Sequence, residues 1–573
     1  MPNTEWIFRD SPAEQKPADY RTWAEQLEIS EFLCELLWRR GLTTPQDMDI
    51  FLSPGLRHLA PPQTWAGLDT AASVLAAALE QDPGPLAVWG DYDVDGITAT
   101  ALVTEILRER GYAVLPHLPD RMEDGYGLNT AGIEALYAQG VRTLLTVDCG
   151  MGAVEAIARA QELGMRVVIS DHHQPHESTP PATAIVNPCL DDCPCPDLAG
   201  VGTAFFLMAA LNRLLPGTPS DLRRSLDLVA LGTIADIVQL SGQNRILAKN
   251  GLLLLSEAQR PGIYALKEAS GLPGKAPVQS GQVGFGLAPR LNAAGRMGPP
   301  TQALELLLAP DLATAQPLAA QLEAANKERR ACEEGILEQA VGQVDAGALP
   351  EGLVLADATW HQGVIGIVAS RVVERFYRPA ILLTKHNGHW KGSGRSIAGV
   401  DLHAALGHCS DLLATFGGHP QAAGLSLTEA NLEPFTQRFA RAISEQLNGT
   451  EPRPRMRLEG NLSFTQIDLD FLQELDLLQP FGLGNPQPIF CSEPLTAQKH
   501  KIFGKNHVSL HLREASSGIT LTGKAWRQAE ALPRTIQGQE LRVAFTPRLN
   551  HYQGLTSIDL DIKDWQAPAD KEA

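Results

Sequence analysis

A chain of 573 residues with 44% hydrophobic and 20% charged residues is long enough for several separate cores and too apolar to be disordered. Its net charge of −19 excludes a uniformly basic nucleic-acid binder, and the lack of an apolar run long enough to span a bilayer excludes a helical membrane protein. The first ten residues carry no basic-then-apolar leader, and the eight cysteines follow no disulfide-framework spacing. Together these features predict a cytoplasmic protein with free thiols.

Residues 1–80 read as mostly helical, with periodic segments at 23–40 and 69–80 separated by a proline-rich stretch, 54–62, and they offer no chemistry. From 84 to about 240 the pattern alternates. Strands are predicted at 84–90, 113–118, 142–147 and 166–170, and helices at 97–110, 130–139 and 152–163, which implies a parallel sheet covered on both faces. The polar, glycine-rich stretch 119–127 is predicted to be a loop near the ends of the strands, where loops carry function.

The first of these strands runs into Asp91-Tyr92-Asp93-Val94-Asp95-Gly96. Carboxylates spaced by two on one turn repel one another unless a cation neutralises them, and hard divalent ions prefer such oxygens. The simpler alternative is an acidic turn whose Asp caps the next helix. Later stretches favour the cation: Asp148-Cys149-Gly150 and Asp171-His172-His173 each follow an apolar strand, and Asp236 emerges from an apolar run. Ends of parallel strands are where open α/β sheets build their sites. By contrast, Cys189, Cys193 and Cys195 lack a paired spacing or a fourth ligand for zinc.

Helices follow at 204–215 and 221–233. The segment Ala288-Pro-Arg-Leu-Asn-Ala-Ala-Gly-Arg296 then offers Arg290, Asn292 and Arg296 among small residues that let a backbone come close, with pairing of the arginines to nearby acids as the alternative. Residues 311–344 form one long helical pattern, with a narrow apolar stripe through Leu322 and Ile336 and with Glu323, Lys327, Glu328, Arg329 and Arg330 on its other faces. A stripe that narrow suits a connector between domains. A second α/β pattern occupies 350–447, where Ser393, Arg395 and Ser396 could hold a phosphate and His419 lies between flexible glycines. Short alternating strands from 455 to 565 suggest a small barrel. Residues 499–548 carry nine basic against three acidic residues, interleaved with Phe503, His507, His511 and Trp526, a composition that suits a nucleic-acid strand.

The motifs at 91–96, 148–150, 171–173, Asp236, 289–296, 393–396 and 417–424 resemble, in the same order, those of the DHH phosphoesterases, and among them the RecJ-type single-strand-specific 5′-to-3′ exonucleases. The resemblance implies a helical region over 1–80 and an α/β parallel-sheet DHH domain over 81–310. A connector helix over 311–345 would join these to a second α/β (DHHA1) domain over 346–450, followed by a small β-barrel, OB-like domain over 453–566. It implies two divalent ions, Mn²⁺ or Mg²⁺, held by Asp93, Asp95, Asp148, His172 and Asp236. Asp91 and Asp171 would orient those ligands from behind. His173 and His419 are implied to act on the scissile phosphate, and Arg121, Ser393 and Arg395 to recognise a 5′ phosphate. Implied partners are single-stranded DNA, a single-strand-binding protein and a helicase, with the protein a monomer. Two rival readings are a phosphodiesterase of short oligonucleotides or cyclic dinucleotides and an inactive DNA-binding scaffold.

Overall fold

A computed structural model describes residues 4–9, 20–82, 84–121, 127–175, 178–190, 193–344, 349–532, 536–552 and 555–566. Part of the expected functional loop, 122–126, lies outside them. Strands Val114–His117, Leu86–Gly90, Thr143–Val147, Arg166–Ser170 and Ala184–Val186 lie in that order in an all-parallel sheet. Alternate residues face opposite sides. Leu86, Val88, Leu145, Val147 and Val168 enter one core with helices Val94–Glu109, Gly200–Leu214 and Leu226–Ala235; Ala87, Trp89, Leu144, Val167 and Ile169 enter another with Thr130–Ala138 and Val154–Glu162. The three-residue strand Ala184–Val186 escaped the sequence reading because it is too short to show a period.

From Leu86–Gly90 the chain steps to Val114–His117 on one side and next to Thr143–Val147 on the other. That reversal opens a crevice at the carboxyl ends of the strands, the place where sheets of this kind bind ligands.

Helix Leu312–Gly342 spans 31 residues, or about 46 Å. Ala315, Ala319 and Leu322 are buried in the first domain's core, and Ile336 and Ala340 in the second's. Between them the buried face turns polar. Arg329, expected from the sequence on an exposed face, is buried and donates to Glu333 Oε2 at 2.6 Å and to Asn326, while Arg371 reaches Glu333 Oε1 at 2.9 Å. The helix thus carries an ion-paired joint where it passes from one domain to the next. The second domain's sheet orders Thr415–His419, Ala422–Leu427, His389–Arg395, Ala380–His386 and Leu353–Ala356, with only the last two parallel.

The carboxyl-terminal sheet of six strands closes on itself: Glu540–Tyr552 pairs antiparallel with Leu555–Gln566, which also pairs parallel with Thr520–Ala525. Residues up to Leu52 of the amino-terminal region belong to this unit, whereas helix Ala66–Gln81 packs into the first domain's core. Leu33, Leu37 and Met48 share a core with Phe490, Leu510 and Phe545, and Glu5–Phe8, in a region expected to be helical, is a strand paired with Arg455–Leu458. Its partner lies some 450 residues away, beyond any local pattern.

Arg245 of helix Gly242–Glu257 joins this unit to the first domain. Only 2% exposed, it lies 3.6 Å from the Phe51 ring centroid and donates to the carbonyls of Phe51, Leu478, Gln479 and Pro480. Burial lowers its pKa to about 9. Arg245→Ala would leave those carbonyls without their donor and open a void, for a loss of about 3 kcal/mol. Thermal melts should show the lower stability, and limited proteolysis should release the carboxyl-terminal unit; wild-type resistance would contradict this role.

Candidate active site

Three parallel strands end side by side, and each delivers an acid: Leu86–Gly90 runs into Asp91, Thr143–Val147 into Asp148 and Arg166–Ser170 into Asp171. Register pairs Gly90 with Val147 and Val147 with Ser170, so the residues that follow form one row. Small residues permit the crowding. A Cβ on Gly96 would fall 2.5 Å from the Asp91 backbone, and one on Gly200 would fall 2.4 Å from Asp148 Oδ1. Asp148 itself has φ +60°, a left-handed conformation that costs energy for a residue with a side chain and is tolerated at functional sites.

Asp93 is a helix cap as well as part of the acidic cluster. Its Oδ1 accepts from Asp95 N–H at 3.0 Å and Gly96 N–H at 3.2 Å, which starts the helix at Val94, three residues before the expected position. Asp95 sits on another helix end, accepting from Gly200 N–H at 2.6 Å and Val201 N–H at 2.9 Å, where the helix dipole favours a carboxylate. This use of the Leu198–Ala204 run was not evident from sequence. Asp171 Oδ2 accepts from Met151 N–H at 2.9 Å, and its Oδ1 accepts from the His172 and His173 N–H groups and lies 2.7 Å from His173 Nδ1. Asp171 is thus tied to Met151, His172 and His173, with its ring contact, among the described residues, to His173 alone.

His172 Nε2 stands 3.1 Å from Asp148 Oδ1, 3.6 Å from Asp236 Oδ2 and 3.9 Å from Asp95 Oδ2. Neither it nor Asp148 Oδ1 nor Asp91 Oδ1, all buried, has a hydrogen-bond partner among the described residues. Buried lone pairs that converge without donors fit a cation. Three overlapping groups each bring ligand atoms within 4.8 Å of one another: Asp91, Asp93 and Asp148; Asp95, His172 and Asp236; Asp148, His172 and His173. The five expected ligands thus meet, and Asp91, expected behind them, stands among them as a further candidate ligand. Carboxylates with one imidazole suit Mn²⁺ or Mg²⁺, the nitrogen tilting preference toward Mn²⁺.

Electrostatics follow from the burial. Desolvation, with repulsion from neighbouring carboxylates, raises Asp91 to about 8, Asp95 to about 7, Asp236 to about 9 and Asp148 well above the usual range. Burial and the charge of His173 lower His172 to about 4, so its imidazole is neutral and able to coordinate. Burial alone would lower His173 and raise Asp171; their mutual hydrogen bond and attraction reverse both, giving about 9 and about 2. His173 is thereby held as a cation.

A cleft of about 450 Å³ lies beside the cluster, lined by Gly127, Gly150, Asp171, His173 and Gln174 from the first domain and His419 from the second. Exposed His419, at the end of strand Thr415–His419, faces the same space as His173. A second pocket of about 320 Å³ is lined by Tyr92, Arg121, Gln362, Gly363, Lys391 and Ser393. Arg121 lies 4.0 Å from the centroid of the Tyr92 ring, and Arg395 donates to Ser393 Oγ at 3.2 Å. The first turn of helix Gln362–Phe376 opens onto this pocket, adding a helix terminus that attracts anions. Lys391 was not singled out from the sequence, although its spacing by two from Ser393 and Arg395 on one strand could have found it; Tyr92 and Gln362 carry no such signal.

The remaining sequence candidates separate. Arg296 donates to Gly363 O at 2.9 Å, and burial, with Arg121 and Arg329 nearby, lowers its pKa to about 9. Arg290 pairs with Glu323 at 2.6 Å, the alternative raised for it above. Asn292 keeps Oδ1 buried without a hydrogen-bond partner among the described residues. Ser396 spends its hydroxyl on Val400 O at 2.9 Å, closing a turn rather than facing a ligand.

Raised carboxyl pKa values make a pH test. Protons held by these groups stabilise the metal-free fold below about pH 4 in full, and that contribution is lost as pH rises through 7 to 9. A divalent ion competes with the same protons. The rise in Tm on adding Mn²⁺ should therefore be larger at pH 9 than at pH 6, with protons released on binding near neutrality. Equal shifts at both pH values would contradict the cluster.

Comparison with known proteins places these features in a family. The DHH family N-terminal domain matches residues 85–233, the DHHA1 domain 350–445 and the RecJ OB domain 458–564. The single-stranded-DNA-specific exonuclease RecJ of Escherichia coli is 34% identical over 558 residues, covering 93% of this chain and 96% of its own length. That of Thermus thermophilus is 35% identical over 557 residues, covering 96% and 77%. A crystal structure of Thermus thermophilus RecJ with Mn²⁺ superposes with a TM-score of 0.84 at 32% identity, covering 99% of this chain and 80% of that one; one with Mg²⁺ gives 0.77, covering 99% and 79%. On this fold, these motifs and these matches, the chain belongs to the RecJ family.

Proposed function

We propose that the protein is a metal-dependent, single-strand-specific DNA exonuclease that hydrolyses phosphodiester bonds from the 5′ end and releases 5′-mononucleotides. The observation that carries this reading is the convergence of buried ligand atoms of Asp91, Asp148 and His172, without hydrogen-bond partners among the described residues, beside a cleft shared by two domains. Asp93, Asp95, Asp148, His172 and Asp236, together with Asp91, would hold two divalent ions. When bound, the ions supply Lewis acidity that offsets phosphoryl charge and generates a nucleophile from water at neutral pH.

The chain's own residues do the rest. His173, held cationic by Asp171, opposes negative charge on the phosphoryl oxygens from one wall, and His419 stands on the other. Arg121, Lys391 and Ser393, with Arg395 behind them, offer a site for a terminal phosphate. Tyr92 lines that pocket and stands between Asp91 and Asp93, so an end bound there presents a nearby phosphodiester to the cluster. Beyond the site, strand Leu495–Phe503 exposes Lys499 and Lys501 beside a cluster of Phe503, His507 and Trp526 with ring centroids 5.0 to 5.7 Å apart, a surface suited to the following nucleotides. That surface favours long strands over the short substrates of the rival reading, and the complete donor set disfavours an inactive scaffold.

The same reading takes the protein to be a cytoplasmic monomer working in recombination and repair with a single-strand-binding protein and a helicase. It divides the chain at about 80, 310, 345 and 450.

A single strand labelled in turn at each end should lose mononucleotides from the 5′ end in Mn²⁺, with no loss in chelator or in Asp148→Ala. Binding without products would favour the scaffold. His173→Ala should bind Mn²⁺ normally yet lose about 10²- to 10³-fold in rate, as when one transition-state charge stabiliser is removed. Arg395→Ala should erase any preference for 5′-phosphorylated over 5′-hydroxyl strands, and a preserved preference would refute the pocket assignment.

A further inference from the structure

Three large apolar side chains stand in solvent around the element that ends in Asp236, each from a different segment. Ile237, the next residue, is 69% exposed; Phe285, in the π-helical turn Val283–Leu287, is 84% exposed; and Leu483, from the carboxyl-terminal unit, is 55% exposed. Their segments are tied together. Leu240 N–H donates to Leu483 O at 2.8 Å, Ser280 Oγ donates to Phe481 O at 2.6 Å, and the π-helical turn packs on helix Leu226–Ala235.

Folding alone does not account for these choices. Ile237 is β-branched and has φ +62°, where its Cβ crowds the following carbonyl and where Gly or Asn would sit with less strain. Phe285 has glycine on either side, with open space where a Cβ would be on each, so its ring stands clear of its neighbours. Arg290 donates to Gly286 O at 2.6 Å and fixes the turn. Strain, exposure and a pinned backbone at a candidate metal ligand point to a partner that arrives later.

The adjoining acidic cluster indicates what that partner is. A strand with a phosphodiester at the cluster would run its flanking nucleotides past Ile237, the residue after the candidate ligand Asp236. Single-stranded DNA offers open base faces there, which stack on apolar and aromatic side chains whatever the sequence, whereas a duplex keeps those faces covered. We propose that Ile237, Phe285 and Leu483 form a stacking platform for the unpaired bases of the substrate, through which the enzyme senses single-strandedness. This rests on the nuclease reading above.

The test compares a fluorescently labelled thymidine strand with an abasic strand of the same length, by equilibrium anisotropy of the full chain in chelator, where the strand is not cut. Wild type should bind the base-bearing strand about tenfold more tightly, in the range of one lost stack. Phe285→Ala should narrow that preference several-fold, leaving only what the Phe503, His507 and Trp526 surface contributes, and Phe285→Trp should keep it. Ile237→Asn should weaken binding of the base-bearing strand several-fold without lowering Tm, because it relieves the backbone; a merely structural residue would lower Tm instead. Equal binding of both strands by wild type, or an unchanged preference in Phe285→Ala, would overturn the platform alone. Absence of any nucleotide release by wild type in Mn²⁺ would instead overturn the nuclease reading beneath it.

Discussion

Mutual repulsion among buried carboxylates is the constraint around which the first domain is built. Asp91, Asp95 and Asp148 lie out of water, with ligand atoms of Asp91 and Asp148 within 4.8 Å of each other and Asp95 close enough to repel Asp148, and protons or cations are needed to offset that repulsion. The sheet enforces this proximity, since parallel register leaves the residues after Gly90, Val147 and Ser170 in one row. Relief from the protein itself is partial: two helix starts donate N–H groups, at Asp93 and Asp95. His172 and His173, adjacent in sequence, are pushed to opposite charge states. One is neutral beside the cluster, and the other is charged against Asp171.

The second domain matters because the first provides only half of each cavity. His419 and Ser393 complete spaces begun by His173 and Arg121, so their separation depends on how rigidly the two domains are joined. Helix Leu312–Gly342 performs that joining with a buried Arg329–Glu333–Arg371 relay at its middle. Such a relay is a poor source of stability but holds a single geometry, because any shift would leave a buried charge unpaired. Arg296 adds a direct tie to Gly363.

Much of this was legible in the sequence, for a local reason. Apolar runs followed at once by Asp or His announce both a buried strand and a polar group at its end, and the parallel sheet followed from them; the set Asp93, Asp95, Asp148, His172 and Asp236 came from the resemblance to the DHH phosphoesterases, and the structure brings these residues together. Long-range choices were not legible. Asp91 reads as one acid of a turn, and only the packing of its neighbours turns its carboxylate into the cluster. Arg290 and Ser396 look like phosphate ligands until Glu323 and Val400 are found beside them. Arg329 reads as a surface residue because its partners, Asn326 and Glu333, come from neighbouring turns of its own helix, and the Arg371 that shares Glu333 comes from a different helix.

The pairing of Glu5–Phe8 with Arg455–Leu458 bears on how the molecule comes into being. The catalytic sheet closes through neighbours within about a hundred residues and can fold soon after it leaves the ribosome. The first strand must wait for a partner about 450 residues downstream, which at typical synthesis rates is on the order of half a minute. Its edge and the apolar face of Glu31–Arg39 are unsheltered for that interval. The surface proposed to hold DNA is thus the last to be assembled, and the nascent chain passes through a stage in which its cluster of acids exists without a grip on the strand it would cut.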